Sequence, residues 1–207
     1  NYRKKITDKY YLSAGSVYSF GTDLEAKRRA SFERRTLSDN VLDSNILPDS
    51  SEGSVNLPSS LRAGLTLDNG KNLTIGADFY TQNWSEFTSF EGKKQLGNSY
   101  RVAVGAEYTP DANSIDNFFE RVTYRTGIYY GDSPFMVKGE TITDKGITAG
   151  FTMPLGRGSM YDYYQLNAAL GYGSRGTTDN GLIKENYFQF SVGFTVNSRW
   201  FIKRRLE

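Results

Sequence analysis

Apolar and polar side chains alternate along most of this 207-residue chain. Successive side chains of a β-strand point to opposite faces, so a period of two predicts strands with one apolar and one polar face. Repeated many times, the pattern is typical of a wall between hydrocarbon and water, and it predicts an all-β, antiparallel, up-and-down transmembrane β-barrel. The clearest runs are residues 57–67, 73–79, 100–108, 122–130, 147–155, 164–172 and 188–196.

Two further segments are candidate strands. Residues 10–20 place Tyr10, Leu12 and Ala14 on one face. Residues 24–34 are weaker, because Arg28 and Arg34 fall on the apolar side. The seven clear runs are each about 7–11 residues long, which is roughly what a tilted strand needs to cross a bilayer core.

The connections between the strands alternate in length. Asp68–Lys71 contains Asn-Gly, which favours a tight hairpin turn. Residues 36–56, 84–98, 131–145 and 174–184 are expected to be long loops, whereas 156–159 is short. Outer-membrane barrels have short periplasmic turns and long outer loops, so the C-terminus is expected in the periplasm.

The strand count bears on the domain organisation. Nine strands conflict with the even number found in bacterial single-chain barrels. Either residues 24–34 are not a strand, or residues 1–207 are the C-terminal part of a longer barrel. The polar start Arg3-Lys4-Lys5, interpreted as a loop end, favours the second alternative.

The polar side of the strands supplies the candidate site residues. Seven glycines are expected to point inward, either to allow sheet curvature or to leave a substrate path: Gly64, Gly76, Gly105, Gly127, Gly150, Gly171 and Gly193. The lumen-facing candidates carry charges of both signs or amides: Arg62, Asp78, Arg101, Glu107, Arg125, Gln165 and Gln189. Mixed charges favour ion pairs between neighbouring strands over a selectivity ring.

The composition limits the kinds of catalytic and metal site that the chain can form. The chain has no cysteine and no histidine, which excludes thiolate metal sites, cysteine nucleophiles and histidine-based triads. We expect no catalytic residues, no metal and no cofactor. The net charge of +2 and the lack of a helix motif argue against nucleic acid as a partner.

Other features suggest membrane contacts. Aromatic residues cluster near strand ends, as in interfacial girdles; examples are Tyr18, Tyr129, Tyr161, Trp200 and Phe201. The basic stretch Lys27-Arg28-Arg29 is either a solvated strand extension or a contact with lipid phosphates of the outer leaflet. The expected surroundings are therefore a lipid bilayer and lipopolysaccharide.

Several motifs resemble those of a known family. Leu57-Pro58-Ser59-Ser60-Leu61-Arg62-Ala63-Gly64-Leu65, the Asp68–Lys71 turn, Leu73-Thr74-Ile75-Gly76-Ala77-Asp78-Phe79 and Asn83-Trp84-Ser85 are similar to the long-chain fatty acid and aromatic hydrocarbon (FadL-like) transporter family. Residues 185–194 and 199–201 look like the last strand of divergent members. The resemblance covers about residues 57–110 and implies a fourteen-stranded barrel with an N-terminal plug.

Two functions remain open. The resemblance implies passive uptake of a hydrophobic small molecule across the bacterial outer membrane. The alternative is a non-transporting scaffold or accessory subunit of a larger outer-membrane complex. Its long outer loops and basic tail, Lys203-Arg204-Arg205, would contact outer-membrane protein partners.

Overall fold

Antiparallel strands make up nearly all of the regular structure. The computed structural model describes residues 2–28, 31–46, 51–89, 92–93, 96–155 and 163–197. The strands, in chain order, are β1 (Tyr2–Lys5), β2 (Tyr11–Ser19), β3 (Thr22–Arg28), β4 (Ser31–Arg35), β5 (Val41–Ile46), β6 (Ser51–Leu57), β7 (Ser60–Asp68), β8 (Leu73–Gln82), β9 (Thr88–Ser89), β10 (Gly92–Lys93), β11 (Ser99–Tyr108), β12 (Thr123–Val137), β13 (Glu140–Pro154), β14 (Tyr163–Arg175) and β15 (Glu185–Asn197). Short 3-10 helices cover Trp84–Glu86, Phe118–Arg121 and Asp179–Gly181.

Nine of these strands form one large sheet, which we call the main sheet. Its order is β1-β2-β7-β8-β11-β12-β13-β14-β15, and each neighbouring pair is antiparallel. A second sheet has the order β10-β9-β6-β3, and β4 pairs with β5 alone. The four strands β3, β4, β5 and β6 lie between β2 and β7 in the chain. They therefore extend from the end of the main sheet at which β2 ends and β7 begins.

The sequence located the strands of the main sheet closely. All seven glycine-centred runs overlap its strands, and residues 10–20 contain β2. The Asp68–Lys71 turn is also confirmed: Gly70 has φ 66°, and its amide donates to Asp68 Oδ1 at 3.0 Å. The amide of Leu73 donates to Asn69 Oδ1 at 3.0 Å, so the turn closes on its own side chains.

Two predictions about the first part of the chain are wrong. Residues 24–34 are not one strand of the wall but parts of β3 and β4, both outside the main sheet. Arg3-Lys4-Lys5, expected to end a loop, belongs to β1. Arg3 is accommodated there because its guanidinium bonds Asp68 at 2.9 Å and lies over the ring of Tyr11 at 4.8 Å.

Two of the expected long loops are largely strand. Residues 36–56 contain β5 and nearly all of β6. Residues 131–145 extend β12 and β13 into a long hairpin closed by Lys138 (φ 51°) and Gly139 (φ 82°). Positive φ at both central positions suits a tight hairpin turn, so the strands continue up to it. The expected short link 156–159 lies outside the described residues.

The described strands do not close into a barrel. β1 and β15 occupy the two edges of the main sheet and do not pair with each other in the described part of the chain. With nine antiparallel strands the first and last run in the same direction, so they could not close antiparallel. The predicted all-β antiparallel architecture is confirmed, but the predicted closed wall is not formed by these strands.

The main sheet has almost no apolar core. Among the described residues, Val122, 3% exposed, is the one buried hydrophobic side chain. None of the described helices is long or apolar enough to span a membrane. The apolar side chains that normally drive folding by their burial therefore lie on the surface of this chain.

Candidate functional site

One face of the main sheet is apolar and uncovered. Large side chains from seven neighbouring strands share this face and are exposed, among them Leu65, Ile75, Val104, Ile128, Ile147, Leu170, Phe190 and Val192. The register places them in rows; Val104, for example, pairs with Ile128, which pairs with Ile147. Monomeric soluble proteins rarely expose so large a contiguous apolar surface, and apolar surfaces of this kind are typical of sites that contact lipid or protein.

The other face, which we call the polar face, carries all fourteen residues predicted from the sequence. Alternation along each strand and the register between strands place the seven glycines and the seven charged or amide candidates on the same side of the sheet. Their role as lumen residues stays a prediction. The structure separates the charged candidates into a bonded group and an unbonded group.

Arg125 and Glu107 form the bonded group. They are directly paired in the register of β11 and β12, and Arg125 Nε lies 2.6 Å from Glu107 Oε2. Arg125 also donates to the hydroxyl of buried Thr152 at 2.5 Å, and that hydroxyl donates to Asn167 Oδ1. This network joins four strands. Here the structure places an ion pair between neighbouring strands, as the mixed charges suggested.

A second network contains residues that the sequence did not single out as lumen candidates. The hydroxyl groups of Tyr129 and Tyr187 lie 2.5 Å apart, and Tyr187 donates to Asp144 Oδ1 at 2.7 Å. Arg175 bonds the other oxygen of Asp144 at 3.3 Å. Tyr129 was expected in an interfacial girdle, but it points to the polar face. Asp144 and Arg175 were missed because both fell inside expected loops.

Arg62, Asp78 and Arg101 form the unbonded group. Arg62 lies over the ring of Tyr80 at 4.8 Å, and Arg101 lies over the ring of Tyr129 at 4.3 Å. Among the described residues, none of the three charged groups forms an ion pair or a side-chain hydrogen bond. A cavity of about 540 Å³ adjoins them and is lined in part by Gly15 and Gly64.

The inward glycines serve different local purposes. A Cβ on Gly150 would lie 2.8 Å from the carbonyl oxygen of Ala168, so backbone approach requires glycine there. A Cβ on Gly64 would lie 2.7 Å from Asp78 Oδ1. Gly76 and Gly193, in contrast, have no neighbouring atom closer than 3.8 Å to such a Cβ. Close strand packing accounts for some of the seven glycines, whereas a Cβ at others would make only ordinary van der Waals contacts.

The third surface is a projecting ribbon, which we define as the four strands β3, β4, β5 and β6. Its strand pairs β3–β6 and β4–β5 extend from the same end of the main sheet as the β12–β13 hairpin. At its tip Leu37 is fully exposed, and Val41 and Leu42 are more than half exposed. Within the ribbon Lys27 pairs with Glu52 at 2.5 Å. Arg35 bonds Glu33 at 2.7 Å and Asp39 at 2.9 Å, so the described side-chain bonds of the ribbon include exposed ion pairs.

Several of the basic and aromatic groups expected to contact lipid or partners lie outside the residues that the structure describes. Lys27 belongs to the ribbon, but Arg29 lies outside the described residues. Tyr161, Trp200, Phe201 and the basic tail Lys203-Arg204-Arg205 also lie outside them. Their expected contacts with lipid or partners stay predictions.

Together, these surfaces define a class of protein: an all-β chain whose main sheet is apolar on one side and carries buried and exposed polar networks on the other. Comparison of the sequence assigns the family. The family model of BamG matches residues 1–207, and the chain belongs to the BamG family. No curated protein matches the chain.

This family assignment corrects the interpretation of the motifs between residues 57 and 110. Membership of the fatty acid and aromatic hydrocarbon transporter family is wrong, because the model that covers the whole chain is that of BamG, a distinct family. In the structure those motifs form the β7–β8 hairpin, its Asn-Gly turn and the following 3-10 helix. Any amphipathic hairpin with a tight turn satisfies most of that pattern, so its residues do not identify a transporter.

Proposed function

We propose that this chain is a non-catalytic accessory subunit of a protein complex in the outer membrane of a Gram-negative bacterium. Membership of the BamG family suggests an outer-membrane-associated subunit, and it favours this function over small-molecule uptake. The observation that carries the proposal is the apolar face of the main sheet. No other element of the described chain packs against that face and shields it from water, whereas acyl chains or a membrane protein would cover it.

In this proposal lipid contacts the apolar face. Strands β12–β15 are 13 or 15 residues long, which exceeds the 9–11 residues that a tilted strand needs to cross the hydrocarbon. The extra length extends into the headgroup region, where lipopolysaccharide is the expected outer-leaflet neighbour. The polar networks of Arg125 and Asp144 then face away from lipid.

The edges of the main sheet add a requirement. An unpaired strand edge within hydrocarbon leaves backbone N–H and C=O groups without partners, at a cost of several kcal/mol for each group. The proposal therefore includes further strands that pair with the two edge strands, β15 and β1. Their number is odd if every pairing is antiparallel, and we propose that they belong to the same barrel, of which residues 1–207 form a part.

The ribbon is the proposed contact with other subunits. A two-stranded hairpin is marginally stable in water at best, and the β4–β5 pair has no third strand among the described residues. Its tip exposes Leu37, Val41 and Leu42, which a protein surface would cover. Because the ribbon extends beyond the main sheet, it reaches partners without disturbing the lipid-facing strands.

Fractionation and native purification test this function together. The full-length protein with an affinity tag is produced in its own bacterium, and outer membranes are separated from inner membranes and soluble proteins. After extraction in mild detergent, native electrophoresis measures the size of the tagged species. We expect the outer-membrane fraction and a species much larger than the protein alone. Recovery as a detergent-independent soluble monomer would refute the proposal.

A further inference from the structure

Arg62 and Arg101 lie on either side of Tyr80 on the polar face. The register pairs Arg62 with Tyr80 across β7 and β8, and pairs Tyr80 with Arg101 across β8 and β11. Adjacent strands are about 4.8 Å apart, so the two arginine backbones are separated by about 9.6 Å across the strands. From this arrangement we propose that Arg62 and Arg101 bind an extended acidic polypeptide segment that crosses the strands of the main sheet.

The first argument is a contrast with the other arginines of the main sheet. Each of those three has a carboxylate partner on the same face; the pairs are Arg3–Asp68, Arg125–Glu107 and Arg175–Asp144. In the described part of the chain, Arg62 and Arg101 have neither an ion pair nor a hydrogen bond. The fold thus places acidic groups beside its arginines except at these two neighbouring positions.

The second argument is that both guanidinium groups are already oriented. Each is held over a tyrosine ring, Arg62 at 4.8 Å from the centroid and Arg101 at 4.3 Å. A ring contacts the flat face of a guanidinium and leaves the N–H donors at its edge available. Such a planar group binds a carboxylate through two parallel hydrogen bonds, and less conformational freedom is lost because the group is preoriented.

The third argument is the space around them. Gly15, Gly64 and Ala103 are the neighbours on the next row of the polar face, so no long side chain fills the adjoining cavity of about 540 Å³. Asp78 lies in the same row, but it is a single carboxylate beside two guanidinium groups and bonds neither. On the outer side, Val17 pairs with Arg62 in the register and is exposed, so it offers an apolar contact.

The spacing favours a peptide over a single small anion. One guanidinium engages both oxygens of a carboxylate through two parallel hydrogen bonds, so two carboxylates, rather than one, satisfy Arg62 and Arg101. In a polyproline II segment, side chains three residues apart lie on the same side and about 9.3 Å apart. Two acidic residues at that interval would reach one arginine each. The proposal concerns the polar face alone, so it does not depend on the membrane location proposed above.

Peptide binding to the purified full-length protein tests the inference. The probe is a fluorescein-labelled peptide, Gly-Glu-Pro-Pro-Glu-Gly, with blocked ends, and fluorescence anisotropy measures its affinity. A peptide with both glutamates replaced by glutamine, and one with the glutamates adjacent, are the comparison probes. We expect both to bind at least about tenfold more weakly, since each loses one or both charge-assisted contacts.

Three double variants test whether the two arginines, rather than the overall charge, bind the peptide. R62Q/R101Q should weaken the acidic peptide by about tenfold or more. The matched control K71Q/K184Q removes the same charge from two exposed lysines elsewhere and should change the affinity by less than about twofold. R62K/R101K keeps the charge but loses the planar fork, so an intermediate loss is expected. This last variant also keeps the test decisive if R62Q/R101Q fails to fold.

Three results would overturn the inference. One is equal affinity of the wild-type protein and R62K/R101K or R62Q/R101Q. Another is equal affinity for the acidic and the glutamine peptides. The third is displacement of the peptide by inorganic phosphate at matching concentration, which would indicate a general anion site. Membrane fractionation has a separate outcome, so failure here would leave the proposed subunit function standing, and the reverse also holds.

Discussion

Leu170 offers the sharpest test of what covers the apolar face. It lies near the middle of β14, is 61% exposed and shares its face with Phe190, its partner across the β14–β15 pair. Ala169 is its immediate neighbour, is also exposed and points to the polar face between Gly150 and Ser191. Leu170→Arg and Ala169→Arg therefore place the same charge at the same depth on opposite faces.

Lipid and water on the apolar face predict different effects of Leu170→Arg on the free energy of unfolding. If lipid covers the face, an arginine near the bilayer midplane destabilises the folded barrel by about 2–4 kcal/mol, whereas substitutions on the inner side are far better tolerated. About 2–4 kcal/mol is a factor of roughly 30 to 1,000 in the folding equilibrium. If water covers the face, an exposed leucine replaced by arginine changes stability by no more than about 0.5 kcal/mol.

The measurement is urea unfolding of the full-length variants reconstituted in lipid vesicles, followed by tryptophan fluorescence and by heat-modifiable migration on gels. Ala169→Arg controls for the arginine itself. We expect Leu170→Arg to unfold at much lower urea, with Ala169→Arg close to the wild type. Equal midpoints for the two variants would refute the assignment of lipid to the apolar face.

Three further outcomes are expected. Thr152→Val should lower stability by about 1 kcal/mol, since it removes the hydroxyl that links two strands of the polar network, and urea titration will detect this; an unchanged midpoint would mean that the network contributes nothing. Gly131→Ala should cost about 1–3 kcal/mol because its Cβ would collide with the carbonyl oxygen of the facing strand, whereas Gly76→Ala, with no atom closer than 3.8 Å, should cost less than about 0.5 kcal/mol. Leu37→Asp/Leu42→Asp should abolish co-purification of the other subunits while the protein stays in the outer-membrane fraction; retention of the full complex would exclude the ribbon tip as the contact.

The sequence revealed eight strands of the main sheet because each of them has two unlike faces, whereas β1, whose four residues are all exposed, was taken as a loop end. Gly105 and Gly127, for example, were recognised from their runs and prove to be register partners on the polar face. The period of two is visible only where one face is apolar. β4 falls mostly within the weak candidate strand 24–34, whereas β5 was taken as loop; the two pair only with each other among the described residues.

The polar networks were harder to predict for a related reason. Alternation gives the face of a residue but not its partner, which depends on the register between strands. Glu107 and Arg125 could be placed on one face, yet only their direct pairing across β11 and β12 joins them. Asp144 lies on a strand extension that a tight turn at Lys138-Gly139 permits, and its partner Tyr187 comes from β15, where Tyr129 of β12 bonds it in turn.

The exposed edge of β15 has a consequence for how the cell must make this protein. Thirteen residues in extended conformation offer their hydrogen-bonding groups on one side, and Phe188, one of the thirteen, is 86% exposed. A copy synthesised without its neighbour would be a template for fibrous self-association and a target for envelope proteases. Folding of the chain must therefore be coupled to the strand that pairs with that edge.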